Sequence, residues 1–367
     1  MPTRRTLLLG AGAAVALAAA GCSPAAKQGP GRRFVSGATD PAGKHHVAAF
    51  DSLGQLHFST PIDFRAHEMA IAPDRQSVVV VARRPGRELV RLRLDDGAVV
   101  GKATAAPGRH FFGHGIHTAD GGFLLTSEND FEQQRGVITV RDATTLAAIS
   151  EFDSHGIGPH EMRWLADQRT LAVANGGYGM HPDYGRTSLG VAQMRPSLTF
   201  VDTLDGRLLE EVRPLEQFNS VRHIDVLADD RVVVAMQYQG EDGRDVPLVA
   251  VSADQPLLSQ VDMPIAPLRQ LAQYTADVCV DRATGHAVAT CPRGSRVTFW
   301  DAARGEYRGS IRLPDAAGVC VDEAAEQFVV TSGRGTIYRV DTRALELLPQ
   351  HTVRVAGLSW DNHVALV

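Results

Sequence analysis

Histidine is the side chain that stands out, with 14 in 367 residues and ten of them between His45 and His181. Clustered imidazoles can coordinate a transition metal, move protons near neutral pH, or hold an anion once protonated. Four of these histidines open copies of one recurring phrase. His67 begins HEMAIAPDRQSVVVVAR (67–83), His114 begins HGIHTADGGFLLTSE (114–128), His160 begins HEMRWLADQRTLAVAN (160–175) and His223 begins HIDVLADDRVVVAMQ (223–237). Three further copies start near Asp277, Gly318 and Gly357 without a histidine at that position. His117 follows three residues after His114 and is counted with the four as a metal-ligand candidate. Imidazole nitrogens suit zinc, copper, iron and nickel, and iron or copper is the expectation here.

The elements that must position these side chains are short strands. Each phrase alternates apolar and polar residues over a few positions and is then broken by Asp, Gly or both, the pattern of antiparallel hairpins. A second type of phrase follows each of the first, for example LVRLRLDDGAVV (89–100), VITVRDATTLAAI (137–149) and SLTFVDTLDGRLL (197–209). Seven copies of each type occur, with anchors separated by 39 to 63 residues. That is close to the length of a four-stranded propeller blade. The chain opens on a lone second-type hairpin (47–58) and closes on a lone first-type hairpin (357–367), so the two ends are expected to share a blade and close the ring. The reading is all-β: a seven-bladed β-propeller of the WD40/YVTN-like kind over 45–367. In such a ring the first strand of each blade lines the central channel, so His67, His114, His160 and His223 are expected at one height around it, at the channel mouth. Strand alternation places Glu68 and Glu161 on the opposite side from their neighbouring histidines, in roles that support ligands or pack blades.

The same four histidines also fit a structural role, as hydrogen-bonded latches between blades. Against a pure latch, only four of seven repeats carry the residue. Protonated, they could instead bind carboxylate or phosphate with Arg222 and Arg109 close in sequence. The connection from 175 to 197 is long for a blade and carries Tyr178, His181, Tyr184 and Arg186, a composition expected of an ordered ligand-binding surface. Asn175, His181, Arg186 and Arg222 are the candidate residues for binding a cofactor or small ligand there.

Composition sets the outer limits. Hydrophobic residues make up 44% and charged residues 22%, which is globular and excludes disorder. A net charge of −5 offers no field for a nucleic-acid backbone. No haem-attachment, phosphate-loop, dinucleotide or serine-hydrolase motif occurs. Cys279, Cys291 and Cys320 read as small buried side chains, a Cys279–Cys291 bridge being the alternative. At the N-terminus, Arg4 and Arg5 precede an apolar run ending near Ala20, the pattern of an export signal of the twin-arginine type rather than a spanning helix. Ala19-Ala20-Gly21-Cys22 resembles a lipoprotein cleavage box, so residues 1–22 are assigned to the signal, with Cys22 as a lipid anchor or with cleavage near Ala20 leaving a soluble protein. Residues 23–44 are assigned to a tether. The expected location is the periplasm.

Several long phrases, GHGIHTADGGFLLTSEND (113–130), EFDSHGIGPHEM (151–162), TLAVANGGYGMHPDYGR (170–186), MRPSLTFVD (194–202) and SVRHIDV (220–226), resemble a bacterial family of periplasmic proteins described as a domain of unknown function. The resemblance covers essentially the whole exported body. It implies an exported propeller, often encoded beside imelysin-type iron-uptake proteins, which would be its partners. The family carries no established activity, so what it implies is location and company rather than chemistry. The leading expectation is an exported propeller that binds a transition metal or metal complex, accessory to periplasmic iron handling. A protein-interaction scaffold with structural histidines is the second reading, and a metal-dependent oxidoreductase or hydrolase the third. Binding is favoured over catalysis.

Overall fold

A computed structural model describes residues 32–367. The export signal with Arg4 and Arg5, the lipidation candidate Cys22, and the first part of the tether lie outside those residues.

Seven antiparallel four-stranded sheets follow one another around a ring. Six are built from consecutive strands, beginning with inner strands Ala66–Ile71, Arg109–His117, Pro159–Trp164, Asn219–Val226, Asp277–Asp281 and Ala316–Asp322. These are blades 1 to 6. Blade 7 takes its inner strand, Ser359–Leu366, from the C-terminal end and its other three, Arg33–Thr39, His45–Asp51 and Leu56–Ile62, from the N-terminal end. The inner strands contact one another in order, and Ser359–Leu366 touches those of blades 6 and 1, which closes the ring. The expected seven-bladed propeller, closed by strands from both ends in one blade, is the fold observed.

Residues 33–39, assigned above to the tether, form the second strand of blade 7. Ser36 and Gly37 interrupt the apolar alternation there, but Phe34, Val35 and Ala38 are buried and pair with both neighbours. The closing blade therefore divides one strand against three, not two against two.

Burying both faces of each blade explains why the strands read as near-continuous apolar runs. Ser77–Ala82 is buried at every position, and Val78 and Val80 pack with Val35, Val47 and Ala49 of blade 7. The same interlock recurs where Val233, Ala235 and Val249 of blade 4 meet Val278, Val280 and Ala287 of blade 5. Side-chain area removed from water at these interfaces is what holds the ring together.

Two local features bear on the channel. Inner strands of blades 1, 2, 3, 4, 6 and 7 break register with their neighbour at the histidine-equivalent position, whereas blade 5 pairs regularly through Asp277. Such bulges re-aim side chains next to a site. The long connection in blade 3 folds into two short turns, Pro182–Tyr184 and Val191–Gln193, tied by paired hydrogen bonds between Gly179 and Leu189. Tyr178, Met180 and Met194 from it pack on Phe112 of blade 2.

Candidate metal centre

The four anchor histidines converge, and a fifth joins them. His67, His114, His160 and His223 come from the inner strands of blades 1 to 4, and His363 comes from that of blade 7. Neighbouring rings lie edge to face in the channel, with centroids 4.6 Å apart for His363–His67, 4.8 Å for His67–His114, 4.5 Å for His114–His160 and 4.8 Å for His160–His223. All five are buried. Blades 7, 1, 2, 3 and 4 are consecutive, so the imidazoles fill one continuous arc, and Asp277 and Gly318 stand at the remaining two positions.

The hydrogen bonds decide which nitrogen faces inward. His114 Nδ1 lies 2.6 Å from Glu68 Oε2, and His223 Nδ1 lies 3.1 Å from Glu161 Oε2. His363 Nδ1 is 3.1 Å from Asp277 Oδ2, and His160 Nδ1 is 3.0 Å from the Phe112 carbonyl. Each acceptor belongs to another blade. A carboxylate or carbonyl can only accept, so in all four rings Nδ1 carries a proton. His114, His160 and His223 are held neutral by burial and keep the Nε2 lone pair, whereas His363 carries a second proton on Nε2 that a metal would have to displace. Metal-binding histidines are commonly oriented in this way. His114 Nε2, His363 Nε2 and both nitrogens of His67 are buried with no hydrogen-bond partner. Each such group costs about 1–3 kcal/mol unless something satisfies it.

Donor spacing fits an ion. Three triads, His67–His114–His363, His114–His160–His223 and His223–Asp277–His363, each hold their ligand atoms within 4.8 Å of one another. Three nitrogens bound at about 2.1 Å to one ion lie at most about 3.6 Å from one another, so a triad at the outer limit of 4.8 Å draws in by about 1 Å on binding. These buried histidine and aspartate clusters could hold a metal ion.

Burial and neighbours set the protonation states. Burial drives His67, His160 and His223 well below the ordinary imidazole range, and it brings His114 to about 4 despite Glu68. Neutral imidazole is the form that ligates. Burial also opposes charge on His363, but the Asp277 carboxylate outweighs it and lifts His363 to about 9. Burial raises Glu161 to about 8, with Arg163 beside it acting in the other direction.

The other candidates fall elsewhere. His117 is buried further along the blade 2 inner strand and belongs to none of the donor groups. His181 caps the Pro182–Tyr184 turn by accepting from Asp183 N at 3.2 Å and packs against Phe131 at 4.4 Å, away from the ring. Asn175 is buried and donates to Ser154 O and Thr199 Oγ1 at 3.2 and 3.0 Å, a role internal to the scaffold. Arg109 is taken up by Glu151 at 3.0 Å and Asp130 at 3.5 Å. Arg222 is buried, and its guanidinium lies over the Tyr178 ring at 4.6 Å. Arg186 lines a cavity with Arg65, Arg83, Arg293 and Tyr274. Among the described residues Cys279, Cys291 and Cys320 are free thiols, and Cys279 pairs with Val288 rather than facing Cys291.

Three site residues escape the repeat reading. His363 lies six residues after Gly357, where the last phrase was anchored; the run Asn362-His363-Val364 aligns instead with Arg222-His223-Ile224. Glu68 and Glu161 are not turned away from the histidines, because the bulge between Ala66 and Met69, and that between Pro159 and Met162, break the alternation.

A family model described as "Protein of unknown function (DUF1513)" matches residues 60–367. Among solved structures, the chain is similar to a chain of Kuenenia stuttgartiensis hydrazine synthase, with a TM-score of 0.60 and 12% identity over 87% of this chain and 94% of that one. A likeness at that identity is one of fold. No protein of curated function matches the sequence. Among the described residues, no helix is long and apolar enough to cross a membrane.

Proposed function

The chain belongs to the DUF1513 family, and from that membership and the channel geometry we propose that it is an exported binding protein whose propeller holds one transition-metal ion, iron or copper, inside the channel mouth. The ligands are drawn from His67, His114, His160, His223 and His363. The observation that carries the reading is the shared orientation of four imidazoles, each with Nδ1 bonded to another blade, which leaves Nε2 of neutral His114, His160 and His223 for a ligand and Nε2 of His363 once it gives up its proton. A latch needs only the outer bond. It gives no reason for five rings to meet at the axis or for His67 to be buried with neither nitrogen satisfied. Periplasmic iron handling, with iron-uptake proteins as partners, is the proposed setting, whether the mature protein is soluble or anchored through Cys22. Binding rather than catalysis is proposed because the donors are buried and numerous enough to saturate an ion, and catalytic centres keep a position open.

The interaction-scaffold reading has one observation of its own. The Glu68–His114 and Glu161–His223 bonds do join neighbouring blades. Elemental analysis of natively exported protein separates the two readings. About one equivalent of iron or copper is expected in the native protein, and His114→Ala and His160→Ala should lose it while remaining folded. Metal-free native protein, with variants that lose only thermal stability, would overturn the metal reading in favour of latching.

A further inference from the structure

The histidine ring uses only part of the channel's chemistry. At the face where inner strands begin and second strands end lies a cavity of about 390 Å³, lined by Arg65, Arg83, Arg186 and Arg293 together with Tyr274, Asp315 and Asp361. Two more arginines stand at the same end, behind that lining rather than in it, and close enough to Arg186 for their charges to act on it. Arg84 follows the second strand of blade 1, and Arg222 immediately precedes His223. Arg65 and Arg83 share the carboxylate of Asp361, at 2.6 and 3.4 Å. Among the described residues, no carboxylate pairs with Arg84, Arg186, Arg222 or Arg293.

Arg222 is the telling case. It has no exposed surface, and its Nε and both terminal nitrogens lack any hydrogen-bond partner. A buried guanidinium ordinarily has a carboxylate or several acceptors, because removing its charge from water is costly otherwise. Here the Tyr178 ring covers one face at 4.6 Å, which leaves the hydrogen-bonding edge free. The neighbouring Gly176 keeps that space open, since a Cβ there would lie 3.0 Å from Cζ and Nη1 of Arg222. Arg84 reaches the Tyr178 hydroxyl at 3.5 Å from the other side.

We propose that this mouth is a binding site for a small multivalent oxyanion, with Arg222 and Arg84 as its buried donors and Arg186 and Arg293 as its outer ones. Guanidinium forks match carboxylate and phosphate oxygens in pairs, and a cavity of this size suits a ligand with several such groups. The ligand is therefore either a polycarboxylate of the kind that chelates metals or a phosphate ester or polyphosphate. The proposal goes beyond metal binding and does not rest on it, because the arginines are unpaired whether or not an ion sits in the ring.

The test uses chelator-treated, metal-free protein titrated with citrate in one arm and pyrophosphate in the other, with acetate as the control, read by calorimetry and by thermal shift. One of the two anions is expected to bind and raise Tm, with affinity falling as salt rises. Arg222→Met and Arg186→Gln should each weaken it at least about ten-fold. Arg222→Met should also melt higher than native protein in the absence of anion, because it removes an uncompensated buried charge. Should that variant not fold, Arg186→Gln and Arg293→Gln, both at exposed positions, carry the comparison. A native protein indifferent to both anions, or binding unchanged in the variants, would overturn the proposal. Because no metal is present in either arm, a failed metal reading leaves this result standing.

Discussion

A carboxylate behind an imidazole fixes its tautomer and raises its basicity as a ligand, so its loss is felt through the metal before it is felt through the fold. Glu68→Gln keeps the shape and removes the charge that faces His114 at 2.6 Å. Metal affinity should fall about 10–100-fold, measured by competition with a chromophoric chelator, with the protein still folded. His117→Ala, on the same strand as His114 but outside the donor groups, should leave metal content unchanged. Tyr178 offers a second measurement. Burial alone would raise its pKa, but the Arg222 and Arg84 charges outweigh burial and bring it to about 7. An unfolded tyrosine holds its proton to about pH 10. The folded chain gives it up near 7, so this group's stabilisation is complete above about pH 10, declines as pH falls through that window, and is gone below about 7. Phenolate absorbance should titrate near neutrality, and Arg222→Met should move the midpoint upward. An anion seated between Arg84 and Arg222 should do the same.

At the scale of the strand, the bulge is the device that builds the site. A regular strand would send His67 and Glu68 to opposite faces, and the shift between Ala66 and Met69 lets one enter the channel while the other reaches blade 2. Gly113 serves the same end from blade 2. Its φ is 111°, and a Cβ there would come within 2.2 Å of His67 Cδ2. Gly113→Ala should therefore displace His67, lowering both Tm and metal content, whereas Gly179→Ala, with open space around it, should change neither. These details mark the limit of what sequence spacing conveys. Four histidines one blade apart are legible because the repeat length separates them, and the alternating apolar runs disclose the blades. Bulges leave no trace in spacing, so the roles of Glu68 and Glu161 are hidden. His363 is hidden because the closing strand takes its register from Arg33–Thr39, far away in sequence. The unpaired state of Arg222 depends on Gly176, Tyr178 and Arg84, which meet only in three dimensions.

For the molecule as a whole, a single ion bound to donors from blades 7, 1, 2, 3 and 4 would tie together inner strands whose strongest packing is with their neighbours. Ligand binding to the folded state adds stability by mass action, about 4 kcal/mol at a thousand-fold excess over Kd. Chelator treatment should therefore lower Tm by roughly 5 °C, and iron or copper should restore it. Loss of metal with no change in Tm would show that the donors do not bridge the ring.

The closing blade gives this arrangement an order in time. Its inner strand, Ser359–Leu366, is hydrogen-bonded to Arg33–Thr39 and brings His363 with it. A chain emerging from synthesis thus presents His67, His114, His160 and His223 long before His363, and Asp277 waits for its partner until the closing strand appears. Complete coordination is a report on closure: an ion held by His363 is held only by a molecule whose two ends have met. The rate at which a chelator draws the ion off could then serve as a clock for ring opening, timed without any label on the protein.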